Sequence, residues 1–361
     1  MQHTCDCSPY RCSILPPHIL DALEKHPDPK VAQAARSTRL ISHGIRVKRS
    51  LLAEGMRPPK PTGVLRRTIY DARQGSSVHA KLVRSEGQPA VSDIAVDEAY
   101  DASGATFNFY KEVFKRISVD GHGMRLDSTV HFREDPGEPF DNAEWDGEEM
   151  LYGDGDGVVF GRFTKSLEVI GHELTHGVTQ FTANLAYHDQ PGALNESISD
   201  VFGSMVKQWY MKQTVQKADW LIGAELFIKA GPALRSMKAP GTAYKNLPEI
   251  GSDPQPATMD KYVKLPNTPD GDNGGVHINS GIPNRAFYLA CVNLGAPNSW
   301  DKAGKVWYAA LTTRLTENAQ FADAAAATVS CARELFGDTE ASAVTAAWKE
   351  VGVTPAPPGI V

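Results

Sequence analysis

The segment Gly171-His-Glu-Leu-Thr-His-Gly177 places two histidines four residues apart. On a helix, His172 and His176 project from one face, so their imidazoles can bind one metal ion. Glu173 lies between them and can reach a water at that metal. The spacing predicts a zinc site that activates water for hydrolysis, with the two histidines as ligands and Glu173 as general base.

A second segment supplies the missing ligand, because a catalytic zinc needs a third protein ligand and an open fourth position. Asn195-Glu-Ser-Ile-Ser-Asp200 begins a predicted helix, with Asn195 as its N-cap. Glu196 is predicted to be the third ligand. Asp200 lies one turn later on the same face, where it can accept the second ring N–H of a zinc-binding histidine.

The glycine-rich segment Gly271-Asp-Asn-Gly-Gly-Val-His-Ile-Asn-Ser-Gly281 offers a further polar group. Its glycines permit a tight backbone path, from which His277 projects. A lone histidine in a loop is most often solvated. Beside a zinc site, His277 is predicted to stabilise the oxyanion that forms when a carbonyl is attacked, and Asp272 can orient its ring.

Hydrophobic periodicity predicts the elements that position these residues. Residues 64–160 carry short β-prone runs around one helix, Ile94–Lys115, and Val158–Phe160 is a candidate edge strand. Apolar residues then recur at helical spacing. The predicted helices are Thr164–Thr182, Asn195–Lys212, Ile282–Leu294, Lys302–Arg314 and Asp323–Leu335. A β-rich part followed by a helical part indicates an α+β fold with the site between them.

Composition narrows the class of protein. The 361 residues are 41% hydrophobic and 22% charged, with a net charge of −6, as in an ordinary globular chain. The mild acidity argues against a nucleic-acid-binding protein, and the apolar runs are too short to span a membrane. The polar N-terminus does not resemble a Sec-type signal peptide, so we expect either a cytoplasmic protein or export by another route.

The first fifty residues form a predicted separate module. Ile19–Arg39 has helical patterning, and the proline-rich segment Arg57–Gly63 is typical of an exposed linker. Cysteines crowd at the N-terminus, at positions 5, 7 and 12, whereas Cys291 and Cys331 lie in apolar helical runs where buried thiols are expected. The odd number does not indicate a disulfide scaffold.

Five segments, in order along residues 64–361, together resemble the thermolysin family of metallopeptidases. They are Asn142-Ala-Glu-Trp145, the His172–His176 helix, Asn195–Asp200, Leu234-Arg-Ser-Met237 and Gly274-Gly-Val-His-Ile-Asn-Ser-Gly281. The resemblance implies a zincin with a β-rich domain at 53–187 and a helical domain at 188–361, joined by the zinc-binding helix. Cys12-Ser-Ile-Leu-Pro-Pro-His-Ile-Leu20 resembles the short propeptide of the protealysin-like branch, which implies a propeptide at 1–52.

The resemblance also implies a role for each matching residue. The zinc ligands would be His172, His176 and Glu196, with Glu173 as general base and proton shuttle, Tyr187 and His277 stabilising the oxyanion, Asp200 orienting His172, and Asp272 orienting His277. Asn142 and the Ala143 backbone would align a peptide substrate, and Arg235 would contact a substrate carbonyl. One zinc ion and peptide or protein substrates are therefore implied.

An apolar specificity pocket is implied for the residue after the scissile bond. Its lining would be Phe160, Phe163, Val169, Ile222 and Leu234. Such a pocket favours cleavage before Leu, Phe, Ile or Val. Phe163 is bulkier than expected and would narrow it. The alternative is that these five side chains belong to the ordinary core.

The sequence departs from the family at its paired calcium sites. Lys207 replaces an expected acidic ligand, although Glu168 and Asp219 remain. An ammonium cannot coordinate a cation and would repel it. The substitution argues against the double calcium site and leaves calcium elsewhere open.

The N-terminal segment is predicted to block the site. Either a thiolate of Cys5, Cys7 or Cys12 occupies the open zinc position, or Cys12–Pro17, which includes Pro16, lies in the substrate groove. The groove is favoured. Maturation is predicted between Ser50 and Lys60, because Ser50–Leu51 and Leu51–Leu52 present the apolar residue that the pocket prefers, which suggests self-cleavage.

Together these features predict a monomeric zinc endopeptidase made as a self-inhibited precursor. A different zinc hydrolase is one alternative, but it would not need the motifs around Arg235 and His277. A zinc-stabilised binding module without activity is another. Its signature would be loss of Glu173 or His277, and both are present.

Overall fold

A computed structural model describes residues 13–52, 63–133 and 138–357, with the backbone alone for residues 43–52. It has a β-rich part followed by a helical part, which confirms the predicted α+β architecture. None of the helices within these ranges is long and apolar enough to cross a membrane.

One mixed sheet organises the β-rich part. Its strands are β1 (Arg67–Asp71), β2 (Lys81–Ser85), β3 (Leu126–Val130), β4 (Ala143–Trp145) and β5 (Met150–Tyr152). Their spatial order is β2-β1-β3-β5-β4, with β1 and β5 parallel to β3, and β2 and β4 antiparallel to their neighbours. The short β4 is therefore a sheet edge. A separate pair joins β6 (Leu221–Ile222) to β7 (Arg235–Ser236).

Helices make up most of the remaining chain. They are α1 (Pro17–Leu23), α2 (Pro29–Leu52), α3 (Ile94–Phe114), α4 (Leu167–Gln180), α5 (Asp189–Tyr210), α6 (Asp272–Asn279), α7 (Gly281–Leu294), α8 (Ala303–Thr313), α9 (Phe321–Phe336) and α10 (Asp338–Glu350). Short 3₁₀ turns lie at Phe163–Lys165, Ala224–Leu226 and Met259–Lys261.

Helices α4 and α5 pack closely enough to bring distant residues to one point. A Cβ atom added to Gly203 of α5 would lie 2.4 Å from the Glu168 carbonyl oxygen and 2.9 Å from the His172 nitrogen of α4. Only glycine fits at such a distance, so Gly203 permits the backbones to approach. This approach brings Glu196 of α5 towards the histidines of α4.

The N-terminal helices belong to the same hydrophobic core as the rest of the chain. Ile14, Ile19, Leu23 and Val31 are completely buried. Burial of such side chains contributes about 1.5–3 kcal/mol each relative to exposure. The segment is thus docked on the remainder of the chain by apolar packing.

Several predicted boundaries were wrong. Helix α5 begins at Asp189, so Asn195 is buried inside the helix and is not its N-cap. The predicted Ile19–Arg39 helix is interrupted between Leu23 and Pro29, because the residue before a proline is disfavoured in the α conformation. Val158–Phe160 forms no strand, only one isolated bridge from Phe160 to Phe227, and α10 was not predicted.

Candidate active site

Three buried side chains of α4 and α5 form a triangle of donor atoms. His172 Nε2 lies 3.0 Å from His176 Nε2 and 3.5 Å from Glu196 Oε2. His176 Nε2 lies 3.4 Å from Glu196 Oε1. The structure thus brings together the three ligands that the sequence predicted.

The triangle fits a zinc ion. Ligand atoms bonded at about 2.0–2.2 Å to one tetrahedral zinc lie roughly 3.3–3.6 Å apart, close to the separations here. Glu196 Oε2 is buried and accepts no hydrogen bond within the described residues, which leaves it free to coordinate. Two imidazoles and one carboxylate are a donor set of catalytic zinc, whereas calcium and magnesium prefer oxygen alone.

Asp200 orients His172. Its Oδ1 lies 2.8 Å from His172 Nδ1, and it also accepts bonds from Arg235 Nε and Nη2 and from Asn284 Nδ2, each at 2.8 Å. Burial opposes ionisation of Asp200, but Arg235 and His172 outweigh it and lower the carboxyl pKa. A charged acceptor at Nδ1 keeps the proton there, so Nε2 presents its lone pair to the donor triangle.

His176 is oriented by two residues that the sequence reasoning missed. Its Nδ1 lies 2.9 Å from Asn195 Oδ1 and 3.0 Å from Ser199 Oγ. Asn195 and Ser199 are four residues apart and so share a face of α5. That spacing is a sequence signal for this role, which the predicted helix start at Asn195 obscured, because an N-cap would not share a face with Ser199.

Glu173 connects α4 to the edge strand β4. Its Oε2 accepts a hydrogen bond of 3.0 Å from the Trp145 backbone N–H, and its Oε1 lies 3.9 Å from His172 Nε2. The side chain is completely buried. The carboxylate is thereby held beside the donor triangle without belonging to it.

A second buried cluster faces the triangle from α6 and from the connection between α4 and α5. His277 Nδ1 lies 2.5 Å from Asp272 Oδ1, and the Tyr187 hydroxyl donates to Glu196 and lies 3.3 Å from His277 Nε2. Burial opposes protonation of His277, but Glu196 and Asp272 outweigh it and raise its pKa to about 9. Asp272 thus holds one ring nitrogen of His277, and the Tyr187 hydroxyl lies beside the other.

The predicted tight backbone path before His277 is confirmed. Gly274 and Gly275 have φ angles of 86° and 81°, in the left-handed region that favours glycine. The resulting turn lets Asp272 Oδ2 accept a 2.9 Å bond from the His277 backbone N–H, so one carboxylate fixes both main chain and ring.

The chain's own N-terminal segment lies in the groove beside these residues. His277 Nε2 donates to the Ser13 carbonyl oxygen at 2.7 Å, and Arg235 Nη1 donates to the Ile14 carbonyl oxygen at 3.1 Å. The Ile14 N–H donates to the Ala143 carbonyl at 3.4 Å. This arrangement is the one expected if the N-terminal segment lies in the substrate groove.

The segment continues away from the groove along Asn142 and into α1. The Leu15 N–H donates to Asn142 Oδ1 at 3.2 Å. Pro16 precedes α1 and Pro17 is its first residue, where a proline needs no hydrogen-bond partner. The three N-terminal cysteines lie outside the described residues, so the thiolate hypothesis stays a prediction.

The five residues of the predicted pocket are all buried. Phe160, Phe163, Val169, Ile222 and Leu234 belong to the main hydrophobic core, which also contains Ile14. Ile222 is the backbone partner of Arg235 in the β6–β7 pair, and Arg235 donates to the Ile14 carbonyl oxygen. Their burial fits a pocket lining and also the alternative of ordinary core, so the pocket stays a prediction.

Two buried polar residues of the groove were not predicted. Ser42 of α2 donates to Glu144 Oε1, which also accepts a 2.8 Å bond from Asn142 Nδ2. Thr38 Oγ1 accepts a 2.8 Å bond from the Asp141 N–H. These contacts join α2 to the edge strand β4 and the residues before it. No local sequence pattern predicts them.

Lys207 takes the place that the sequence analysis associated with calcium. Its Nζ lies 3.1 Å from Glu225, 3.3 Å from Glu168 and 3.6 Å from Asp219. Burial opposes the charge on Lys207, but these carboxylates outweigh it and raise its pKa. The ammonium neutralises a cluster that joins α4 and α5 to the 3₁₀ turn at Ala224–Leu226.

Replacing Lys207 with methionine is expected to lower the free energy of unfolding by about 3 kcal/mol, because the buried Glu168 loses its counter-charge. Thermal denaturation measures the loss, with the exposed Lys217→Met as the control. An equal loss of stability in Lys207→Met and Lys217→Met would contradict the role of Lys207 in this carboxylate cluster.

Comparison with known proteins identifies the class. Residues 61–180 match the family model described as thermolysin metallopeptidase, catalytic domain, and residues 183–353 match the alpha-helical domain of the same metallopeptidase. An extracellular metalloprotease of Pectobacterium carotovorum subsp. carotovorum is 47% identical over 349 residues, covering 95% of this chain and 96% of the relative. Protease PrtS of a Photorhabdus species is 44% identical, covering 94% and 91%.

A solved structure extends the likeness to the N-terminal segment. The precursor of protealysin, a metalloproteinase from Serratia proteamaculans, matches with a TM-score of 0.84 and 44% identity, over 95% of this chain and all of that one. Two family models and full-length relatives, together with a zinc-compatible triangle, lead to one conclusion. This chain belongs to the thermolysin family of metallopeptidases.

Proposed function

We propose that the protein is a zinc endopeptidase that cleaves on the N-terminal side of bulky hydrophobic residues and is made as a self-inhibited precursor. One observation carries the proposal. The main chain of Ser13–Leu15 lies in the groove beside the donor triangle, with the Ile14 side chain completely buried. A segment that occupies the substrate groove blocks it for other peptides.

His172, His176 and Glu196 would hold the zinc ion. When bound, zinc polarises the scissile carbonyl and lowers the pKa of a water molecule. Glu173 takes a proton from the attacking water and delivers it to the leaving nitrogen. His277 donates a hydrogen bond to the developing oxyanion, as it donates to the Ser13 carbonyl here, and Tyr187 lies close enough to assist.

The remaining groove residues would align the substrate main chain. The Ala143 carbonyl accepts an N–H, Asn142 accepts the next one, and Arg235 donates to the carbonyl between them, as each does with the N-terminal segment. The apolar pocket beside Arg235 would then select a bulky hydrophobic side chain after the scissile bond.

Maturation would occur by self-cleavage between Ser50 and Lys60. The bonds flanking Leu51 lie at the end of α2, and residues 53–62 lie outside the described residues. The proposed units are a propeptide at 1–52, a β-rich domain at 53–187 and a helical domain at 188–361. We further propose that the protein is a monomer and that it is secreted; the name of one relative, an extracellular metalloprotease, supports secretion.

The test is incubation of the purified full-length protein with zinc, followed by intact mass and by hydrolysis of casein and of a quenched peptide containing leucine. We expect loss of the N-terminal segment, rising hydrolysis that a zinc chelator stops, and cleavage before leucine. A mature N-terminus beyond Pro61 would contradict the maturation site. Lack of hydrolysis after the segment has been removed by trypsin would contradict the function.

Acid is expected to weaken docking of the N-terminal segment through His18. Its Nε2 lies 2.9 Å from the Tyr244 hydroxyl, and its buried Nδ1 has no partner within the described residues. Burial lowers the pKa of His18 to about 4. Because the folded pKa lies below the unfolded value, the stabilisation is complete above about pH 6.5 and is lost as pH falls towards 4.

The measurement is the rate of tryptic cleavage after Arg36 of α2, taken on metal-free protein between pH 7 and pH 4 and corrected for the pH dependence of trypsin. The weakening should approach about 3 kcal/mol at pH 4 in the wild type. It should shrink in His18→Gln and persist in His122→Gln, which changes an exposed histidine. Equal pH dependence in all three would contradict the prediction.

A further inference from the structure

The Ser13–Ile14 peptide bond is held by polar groups on both sides. On the carbonyl side, Ser13 accepts from His277 Nε2 at 2.7 Å. On the amide side, the Ile14 N–H donates to the Ala143 carbonyl at 3.4 Å. We propose that this bond is a processing site, which the molecule hydrolyses in its own groove before the segment is removed between Ser50 and Lys60.

The contacts fix the direction of the chain as well as its position. Arg235 donates to the Ile14 carbonyl oxygen, and Asn142 accepts the Leu15 N–H. With the Ile14 N–H, three consecutive polar groups of the chain after the bond therefore have hydrogen-bond partners. The Ser13 carbonyl oxygen is the one that accepts a hydrogen bond from His277 Nε2. In a peptide bound in the opposite direction, the N–H and carbonyl groups would follow one another in reverse order. They would then not match the Ala143 carbonyl, Arg235 and Asn142.

The side chain after the bond has the chemistry that the pocket requires. Ile14 is completely buried, and Arg235, which donates to its carbonyl oxygen, is the backbone partner of Ile222, a residue of the proposed pocket. Two residues further on, Pro16 and Pro17 fix the backbone as it leaves the groove. This stiff exit limits sliding of the segment, so the same bond stays at the site.

The reaction is hydrolysis and needs only water. The C–N bond between Ser13 and Ile14 breaks, the hydroxyl of water joins the Ser13 carbonyl carbon, and a proton passes through Glu173 to the Ile14 nitrogen. The products are a Ser13 carboxylate and an Ile14 amine. The inference rests on the proposed function, because the same groups act on this bond as on other peptides.

This first cut leaves the groove blocked. It separates residues 1–13, whereas residues 14–52 remain covalently joined to the rest of the chain. Ile19, Leu23 and Val31 keep their buried packing, and Ser42 keeps its bond to Glu144. Cleavage at Ser13–Ile14 therefore does not activate the protein, and activation waits for the cut between Ser50 and Lys60.

The test begins with full-length protein purified without metal and then given zinc at protein concentrations spanning a hundredfold. Denaturing intact mass and N-terminal sequencing follow the products. We expect a chain that begins at Ile14, formed with a rate constant independent of protein concentration and before any chain that begins near Leu51. Hydrolysis of the quenched peptide should not rise while this product accumulates.

Matched variants identify the requirement. Ile14→Gly removes the side chain from the pocket and is expected to slow the cut at least a hundredfold, whereas Ile14→Leu keeps it. Glu173→Gln should leave the bond intact. A readout that needs no turnover is tryptic cleavage after Arg36 in metal-free protein, which Ile14→Gly should accelerate about tenfold and Ile14→Leu should not, since a buried side chain contributes to docking.

The outcomes separate this inference from the proposed function. If the matured protein hydrolyses the quenched peptide but Ser13–Ile14 stays intact in the precursor, the inference is wrong and the function stands. If the apparent first-order rate constant of the cut rises in proportion to protein concentration, cleavage within one molecule is wrong. If neither the peptide nor the bond is cut, even after tryptic removal of the segment, the proposed function fails and this inference with it.

Discussion

Replacing Glu173 with glutamine is expected to lower kcat on a leucine-containing peptide by about a hundredfold or more, as for loss of a general base. Glutamine has nearly the same shape and can still accept the Trp145 N–H, which Glu173 Oε2 accepts at 3.0 Å. It cannot take a proton from water. Because Glu173 does not belong to the donor triangle, the zinc content should stay near one ion per chain.

The comparison needs protein from which the N-terminal segment has been removed by trypsin, because the variant is not expected to mature itself. Glu112→Gln, on the exposed side of α3, is the matched control and should retain full activity. More than a tenth of the wild-type kcat in Glu173→Gln, with zinc bound, would contradict its role as general base. Loss of zinc in this variant would move Glu173 into the ligand set.

Replacing Asp200 with alanine is expected to have the largest effect on stability, about 3–5 kcal/mol, because it leaves a buried guanidinium without its counter-charge. Arg235 is 1% exposed and donates two bonds to Asp200. The same change frees the His172 ring. Zinc affinity should therefore fall about 10–100-fold, as for loss of a group that orients a metal ligand.

A double variant separates these two effects. Asp200→Ala with Arg235→Met removes the unpaired charge, so part of the unfolding free energy should return, whereas zinc affinity should stay low because His172 is still unsupported. Chemical denaturation and competition with a chromophoric chelator measure the two quantities. The control is Asp270→Ala, whose side chain is 92% exposed and whose ion pair is worth less than about 1 kcal/mol. An equal loss of unfolding free energy in the single and double variants would contradict the role of the unpaired charge.

The zinc-binding helix and its partner helix could be predicted because their signals are local. His172, Glu173 and His176 lie within two turns, and Glu196 and Asp200 share a face of the next helix. Helical periodicity alone decides which of these side chains project together. The structure confirms that the side chains of the two helices lie together. The family resemblance supplied the fold, which periodicity supported only as a β-rich part followed by a helical part.

Contacts between distant segments could not be predicted in this way. Ser13 and His277 are 264 residues apart, and Ser42 and Glu144 are 102 apart. Which of the N-terminal residues reaches His277 depends on how α1 and α2 pack, and a shift by one residue would exchange every partner. No spacing within the segment contains that information.

The sequence by itself therefore determined which groups are available for chemistry: two histidines and a glutamate at helical spacing, and a second glutamate on the next helix, within a recognisable family. Tertiary structure decided what surrounds that chemistry. It assigned Asn195 and Ser199 to His176, enclosed Lys207 among three carboxylates, and set the Ser13–Ile14 bond against His277. The physical reason is that local periodicity fixes the direction of the side chains on one helix. The packing of whole helices and strands decides which side chains of different elements come into contact.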